Sequence, residues 1–265
     1  MKERFAVTYA RNAKSDDLCI EQAKAWAKAL NVPYIQRTHK ENLGEMLARH
    51  QLDVIIVAQN NGPSIYSPQG EFSYHQNMTY LRFLNIETGK GDHLIDALDL
   101  KPGMRVLDGT LGLAQDAAIA SLIVGESGLV VGTEASKLLH FCVNYGLQNY
   151  ETDSPRLTAA MRRIKTYNLT AKEFLQICKP NDFNVIYFDP MFKRPVKGAM
   201  AMDALRPLSY DKPLDAETIN LALKIAPKIV IKERAEYILR EYGCTEFIGG
   251  KYSRIKFGII RREEE

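Results

Sequence analysis

Short apolar segments alternate with helical ones from residue 104 onward, and this alternation restricts the fold more than any other feature of the sequence. The apolar segments are nearly continuous, which is typical of strands that are buried on both faces of a parallel sheet. Helices between such strands cover both faces. We therefore predict an α/β fold with a doubly wound, mostly parallel sheet. Its predicted strands are MRVLD (104–108), LVVGTE (129–134), MRRIKTY (161–167), FNVIYFD (183–189) and KIVIKE (228–233), followed by TEFIGG and SRIKFGIIR as a closing antiparallel hairpin.

The first 85 residues have a pattern of their own. Strand-like segments alternate there with helical ones, and a turn after residue 59 precedes a predicted hairpin. We therefore predict two parts: a small N-terminal α/β unit at residues 1–85, expected to help recognise the substrate, and a larger ligand-binding domain at residues 86–265. The strand-like segments of the first part are FAVTYA (5–10), VPYIQR (32–37) and DVIIVAQ (53–59), and its helical segments are 16–30 and 41–50.

Composition excludes several classes of protein. No apolar run approaches the ~20 residues that cross a bilayer, and the N-terminus lacks the pattern of a secretory signal. The four cysteines are far apart, with neither metal-ligand nor redox spacing, so we expect free thiols in the cytoplasm and no metal site. A net charge of +3 permits a nucleic-acid partner without arguing for one. The sequence does not indicate an oligomeric state.

A glycine-containing turn follows the first strand of the larger part. Gly109 and Gly112 lie in VLDGTLGLAQD, where they allow a tight turn and a close approach of the backbone to a ligand. The next helix offers its N-terminal amides to a carboxylate. Glu134 ends the following strand, where a nucleoside-binding fold places an acid for the ribose hydroxyls. The pattern indicates a nucleoside ligand.

Two ligands compete for this turn, a nicotinamide dinucleotide and S-adenosylmethionine. Asp108, at the strand end itself, would repel a pyrophosphate but suits a cationic amino-acid group. The turn also lacks the G-x-G-x-x-G order, because Leu111 and Gln115 occupy two of the glycine positions. We therefore expect a ring of carboxylates around a sulfonium cofactor that carries an ammonium group. Its members are Asp108, Asp116, Glu134 and Asp189.

The tetrapeptide Asp189-Pro190-Met191-Phe192 follows the apolar strand NVIYF. The lone pair of an exocyclic amine is delocalised into its ring, so an acceptor for its N–H groups helps to orient the nitrogen toward a methyl donor. Asp189 is expected to supply that acceptor, Pro190 to fix the turn, and Phe192 to stack on the base. We predict these three residues as the catalytic group of an amine methyltransferase.

These segments together resemble the RsmJ-type family, the guanine-N2 methyltransferases of small-subunit ribosomal RNA. The likeness spans roughly residues 89–260 and depends on VLDGTLGLAQD, YFDPMFKRPVKGAM and VIKER. It implies a Rossmann-like class I methyltransferase fold, S-adenosylmethionine as cofactor, and a guanine amine of 16S rRNA as acceptor. The family has glycine and arginine where this chain has Ala114 and Gln115.

The resemblance also implies roles for residues of the strand ends. Gln115 and Asp116 would contact the cofactor, Glu134 would hold its ribose, and Asp189 would lie between cofactor and base. Tyr167 and Asn168 would flank the adenine. The predicted cofactor site is completed by Asp108, Gly109, Thr110, Gly112 and Ala135.

Basic residues near the predicted base pocket indicate contacts to RNA phosphates. We assign this role to Lys193, Arg194 and Lys197 after Phe192, and to Lys232, for which pairing with a site carboxylate is the alternative. A second basic run covers residues 156–165, and a solvated face is its favoured interpretation. The expected partner is ribosomal RNA or the small ribosomal subunit.

Two further functions remain open at this point. The chain is also consistent with methylation of another amine, in DNA, protein or a small molecule. A non-catalytic RNA-binding protein that retains a degenerate cofactor pocket would carry the same turn and the same basic residues.

Overall fold

The computed structural model describes residues 4–11, 16–38, 41–190, 213–250 and 253–263. Within these ranges the chain forms two compact units that divide after His75, whereas the sequence suggested a division at residue 85. No helix in the described ranges has the length and apolar character that spanning a membrane requires.

In its described residues, the first unit contains a four-stranded sheet and two helices. The strand order is β1-β2-β3-β4, with β1 and β2 parallel and the other pairs antiparallel. Its core includes Ala6, Met46 and Ile55. The expected strand at 32–37 is wrong, because only Tyr34 forms a bridge, to Val7. The elements are β1 (Phe5–Tyr9), α1 (Asp16–Leu30), α2 (Leu43–His50), β2 (Val54–Gln59), β3 (Gly62–Ser67) and β4 (Gly70–Ser73).

The second unit contains a seven-stranded sheet and eight helices within the described residues. The elements are α3 (Asn77–Glu87), α4 (His93–Leu98), β5 (Arg105–Asp108), α5 (Gln115–Val124), β6 (Leu129–Thr133), α6 (Lys137–Asn149), α7 (Pro155–Arg162), β7 (Lys165–Tyr167), α8 (Ala171–Leu175), β8 (Val185–Phe188), α9 (Ala216–Ile225), β9 (Lys228–Glu233), α10 (Glu236–Glu241), β10 (Glu246–Ile248) and β11 (Lys256–Arg261).

The strand order of the second unit is β10-β11-β9-β8-β5-β6-β7. The five strands from β9 to β7 are parallel, and β11 runs antiparallel to both of its neighbours. Val106 and Leu107 point to opposite faces of β5, and both are fully buried, so both faces of the sheet are covered. The predicted α/β class, with its parallel sheet and closing antiparallel hairpin, is confirmed.

The third parallel strand is much shorter than predicted. The segment 161–167 was expected to be one strand, but α7 takes its first two residues and β7 begins at Lys165. Ser154 caps α7 by accepting from the Leu157 N–H, and Pro155 starts the helix with a backbone angle that suits it. Leu157 and Met161 then lie on one buried face. The capping signal and helical spacing override the strand-like composition.

Helices α3 and α4 were not predicted from the sequence pattern. Asp92 starts α4 by accepting from the Leu94 N–H at 3.0 Å. Helix α3 packs on α5 and brings Arg82 toward the strand ends. Because β5, β6, β7, β8 and β9 are parallel, their carboxyl ends meet at one edge of the sheet, where ligands bind in open α/β folds.

Gly109, in the turn after β5, is expected to tolerate no side chain. An added Cβ would lie 2.4 Å from the Phe188 ring and 3.2 Å from the Ala171 Cβ. Phe188 is fully buried, so its ring has little space into which to move. We expect Gly109→Ala to lower the free energy of unfolding by about 1–3 kcal/mol, as overpacked cores do.

Urea unfolding followed by circular dichroism measures this loss. Gly91→Ala is the matched control, because a Cβ there meets nothing within 4 Å. It is expected to stay within about 0.5 kcal/mol of the unmodified protein. Equal stability of the two variants would contradict the packing argument.

Candidate functional site

The turn after β5 is fixed by backbone hydrogen bonds to neighbouring strands. The Leu111 N–H donates to the Thr133 carbonyl at 2.9 Å, and the Gly109 N–H donates to the Tyr187 carbonyl at the same distance. Gly112 adopts φ +48° and Ala114 φ +59°, both in the left-handed region. That region suits glycine but strains alanine, so Ala114 is held there by its fully buried surroundings. The turn is therefore a rigid backbone platform at the edge of the sheet.

Glu134 follows β6 and joins this platform to the next strand end. Its carboxylate accepts from the Gly112 N–H at 3.2 Å and from the Ser136 N–H at 2.8 Å, one bond to each oxygen. Burial raises its pKa to about 6, against the lowering effect of these backbone N–H groups. Each oxygen retains a second lone pair, so Glu134 can also accept from ligand hydroxyls.

Two predicted adenine neighbours lie at the end of β7. The Glu134 N–H donates to the Tyr167 carbonyl at 3.0 Å. The Asn168 side chain donates to the carbonyls of Glu134 and Ala135, at 2.8 and 3.2 Å. The Tyr167 ring is 41% exposed and packs beside Phe174. The end of β7 is thus bonded through its backbone to Glu134 and carries a partly exposed aromatic side chain.

Asp108 and Asp189 end the adjacent strands β5 and β8. Asp108 is only 3% exposed and accepts from the Thr110 N–H at 3.0 Å. Burial raises its pKa to about 8, assisted by the charges of Asp116 and Asp189, so it is largely protonated at neutral pH. The backbone N–H of Asp189 donates to the Thr110 hydroxyl at 2.6 Å, and Pro190 is buried behind it. Thr110 therefore connects the two strand ends.

Asp116, in the first turn of α5, is surrounded by three donors. It accepts from Arg82 at 2.6 Å, from the Tyr187 hydroxyl at 2.7 Å and from Lys232 at 2.9 Å. Burial alone would raise its pKa, but the charges of Lys232 and Arg82 outweigh that effect and lower it to about 2. Asp116 is therefore a permanent anion whose oxygens face protein donors.

Lys232, in β9, lies between two carboxylates. Its Nζ is 2.9 Å from Asp116 Oδ2 and 2.8 Å from Asp189 Oδ2, and its side chain is 17% exposed. Burial would lower its pKa, but the two carboxylates raise it, so the ammonium stays charged. Two roles were considered for Lys232, contact with RNA and pairing with a site carboxylate, and the structure shows the pairing.

These contacts change the electrostatics expected from the sequence. The ring of carboxylates is present, but its charge is partly cancelled by Lys232 and Arg82, and Asp108 is largely neutral. Among the described residues, the side chains left to face a ligand are Glu134 and one oxygen of Asp189. Gln115, beside Asp116, is half-buried at the start of α5.

Sequence reasoning missed Arg82, Tyr187 and Gln76. The fully buried Gln76 donates to the Leu113 carbonyl at 2.8 Å and so supports the turn from α3. Tyr187 carried a usable signal, because a hydroxyl inside a buried strand requires a partner. Arg82 and Gln76 carried none, since the helix that places them was not recognised.

Three arginines of the basic run at 156–165 bond within the fold, while Arg156 and Lys165 are exposed to solvent. Arg156 pairs with Glu87 at 2.8 Å. Arg162 donates to the carbonyls of Leu147 and Tyr150, and Arg163 donates to the Ser121 carbonyl at 3.0 Å. Each of these three guanidinium groups therefore donates to a backbone carbonyl or to a carboxylate.

Four of the predicted site residues lie outside the described residues: Phe192, Lys193, Arg194 and Lys197. Across the described ranges, no three side chains of His, Cys, Asp or Glu are grouped as ligands of a metal ion.

Comparison with known proteins places this chain in a family. The chain is 37% identical to the protein YpiP of Bacillus subtilis over 244 residues, which cover 91% of this chain and 94% of that one. It is 30% identical to the ribosomal RNA small subunit methyltransferase J of Pseudomonas paraeruginosa over 221 residues, which cover 81% and 80% of the two chains.

The fold has a solved counterpart in the SAM-dependent methyltransferase NGO1261 from Neisseria gonorrhoeae. The two structures superpose with a TM-score of 0.63 over 97% of this chain and 96% of that one, at 14% identity. Residues 37–255 match the SAM_MT family. The chain therefore belongs to the family of SAM-dependent methyltransferases, whose cofactor is S-adenosylmethionine.

Proposed function

We propose that this protein methylates the exocyclic N2 amine of a guanine in small-subunit ribosomal RNA. The observation that carries the proposal is the position of Asp189, which ends β8 beside the glycine turn and holds a partly buried carboxylate there. The methyltransferase of Pseudomonas paraeruginosa, whose name refers to small-subunit ribosomal RNA, supports the choice of RNA. The N-terminal unit helps to present the RNA in this proposal.

The described residues fit the cofactor. Glu134 would accept from its ribose hydroxyls, and Tyr167 and Asn168 would flank its adenine. The left-handed backbone at Gly112 leaves a surface without side chains for its amino-acid part. When bound, the cofactor supplies an electrophilic methyl group on a sulfonium sulfur.

Asp189 acts on the acceptor in this proposal. Its carboxylate accepts one N–H of the guanine amine, which turns the nitrogen lone pair toward the methyl carbon. With the cofactor bound, the amine nitrogen would take its methyl group and leave a neutral thioether, and Asp189 or water would take the amine proton. Holding the reacting atoms ~3–3.5 Å apart contributes on the order of 7–11 kcal/mol. The base reaches this position unstacked, with Phe192 against its flat face.

Asp189→Ala is expected to reduce methyl transfer at least about 100-fold, because the acceptor of the amine N–H is lost. Transfer of a tritiated methyl group to small ribosomal subunits measures this loss. Binding of S-adenosylhomocysteine and the thermal unfolding midpoint are expected to stay close to those of the unmodified protein. Asp153→Ala, at an exposed carboxylate, is the control.

Full activity of Asp189→Ala would refute the assigned role. Free DNA and unfractionated protein serve as alternative acceptors in the same assay, and preferential labelling of either would refute the RNA substrate. A protein that binds S-adenosylhomocysteine but labels none of these acceptors would refute the catalytic function.

The raised pKa of Glu134 predicts that cofactor binding depends on pH. With its pKa raised to about 6 by burial, the carboxylate is mostly protonated at about pH 5 and mostly ionised at about pH 7. The ionised form accepts more hydrogen bonds from the ribose hydroxyls. S-adenosylhomocysteine is therefore expected to bind about tenfold more tightly at the higher pH. Calorimetric titration across this range measures the change.

Glu134→Gln is expected to flatten that dependence, while Glu151→Gln, at an exposed glutamate, leaves it intact. The calorimetric titration stops at about pH 7, because Asp108, with its pKa raised to about 8, titrates above that pH and would add its own effect. An affinity that is constant between the two limits would contradict the assignment of Glu134 to the ribose.

The RNA contacts assigned to Lys193, Arg194 and Lys197 predict a salt effect. Each phosphate contact to a single strand contributes about 0.7 to the slope of log affinity against log salt. The triple alanine variant is therefore expected to reduce the slope of RNA binding by about 2. A triple alanine variant of Lys101, Lys179 and Lys224, exposed at the opposite edge of the sheet, is the control. Equal slopes for the two variants would rule out the assigned contacts.

A further inference from the structure

Charged side chains of alternating sign run from α4 to the end of β8. Asp92 accepts two hydrogen bonds from Arg82, at 2.9 and 3.0 Å, and Arg82 also donates to Asp116 at 2.6 Å. Lys232 then connects Asp116 to Asp189, at 2.9 and 2.8 Å. We call this series of residues, Asp92, Arg82, Asp116, Lys232 and Asp189, the ion-pair chain.

The interior of the ion-pair chain is fixed. Arg82 meets Asp92 through two parallel hydrogen bonds, a geometry that sets the orientation of the guanidinium plane as well as its charge. Asp116 also accepts from the buried Tyr187 hydroxyl. Since Asp116 is anionic at every ordinary pH, it holds the Lys232 ammonium in place whether or not Asp189 is ionised.

The outer end of the ion-pair chain can change its charge. Burial raises the pKa of Asp189, and the charge of Lys232 works against that rise. Lys232 contacts only Oδ2 of Asp189; within the described residues, Oδ1 accepts no hydrogen bond. As far as the described part of the chain shows, Oδ1 of Asp189 is left for a ligand, while Oδ2 is held by the Lys232 ammonium.

We propose that Lys232 is a positioning residue for methyl transfer, which acts through Asp189 rather than by contact with RNA. Held by Asp116, its ammonium keeps the Asp189 carboxylate ionised and turns one oxygen toward the acceptor amine. The inference rests on the proposed function and extends it. It replaces the phosphate contact that the sequence suggested for Lys232.

An ionised Asp189 matters because only the carboxylate can accept the amine N–H with either oxygen. A protonated acid would offer a donor to a group that is itself a donor. Among the described residues, Lys232 is the cation that faces Asp189, so its loss is expected to favour the protonated form of Asp189. Within the described residues, the titratable groups that face Asp189 are Asp108 from β5, Asp116 from α5, Tyr187 from β8, and Lys232 and Glu233 from β9.

The pH profile of methyl transfer tests this role. In Lys232→Gln, the acidic limb of the kcat profile is expected to move upward by at least about one pH unit, which is about a tenfold loss of activity on that limb. The KM for the RNA acceptor is expected to stay unchanged. Lys232→Arg retains the cation and is expected to restore the limb, while Lys101→Gln, at an exposed lysine, leaves it unmoved.

The alternative role gives a different result. If Lys232 contacts RNA, Lys232→Gln raises the KM and reduces the salt slope while the acidic limb stays in place, and the inference is overturned. If Lys232→Gln lacks a cooperative unfolding transition, Lys232→Met provides a second neutral variant for the same comparison.

A measurement without methyl transfer separates this inference from the proposed function. Carbon-13 labelling of the aspartate carboxyl groups reports their titration by NMR, and Asp189→Asn identifies the signal of Asp189. A higher pKa of Asp189 in Lys232→Gln than in the unmodified protein supports the inference, even if no RNA is labelled and the proposed function fails. An unchanged pKa overturns it.

Discussion

The buried carboxylate of Asp116 depends on two cations, and the geometry of the candidate site depends on that carboxylate. Removing one partner from a buried ion pair leaves an uncompensated charge and costs about 3–5 kcal/mol. Arg82 and Lys232 come from α3 and β9, far apart in the sequence, so both elements must dock correctly before Asp116 can be buried. An arrangement in which α3 or β9 is displaced would leave Asp116 without one of its cations and is therefore disfavoured.

Much of the site could be predicted from the sequence because its residues follow parallel strands. Asp108, Glu134 and Asp189 each come directly after an apolar segment, and parallel strands bring such ends to one edge of the sheet. The glycine turn could be predicted for a similar local reason. Glycine is the residue type that allows a close approach, as at Gly109, and a left-handed backbone, as at Gly112.

The rest of the site depends on tertiary contacts that leave little trace in the sequence. Lys232 looks like any lysine at the end of a strand, and only the structure reveals its two carboxylate partners. The basic run at 156–165 was expected to be a solvated face, with phosphate binding as the alternative, yet its three arginines bond within the fold. A charge has no preferred partner until the chain is folded, so local patterns cannot distinguish a structural role from a binding role.

The order of strands also has a consequence for synthesis of the protein. Strand β11 inserts beside β9 and pairs Phe257 with Lys232, so β9 gains its second neighbour only after residues 256–261 have left the ribosome. Until then, the growing chain carries Lys232 on an open edge strand, which invites pairing with other chains. A product that stops before residue 256 would keep that edge exposed, and a chaperone that shields it would protect the unfinished enzyme from aggregation.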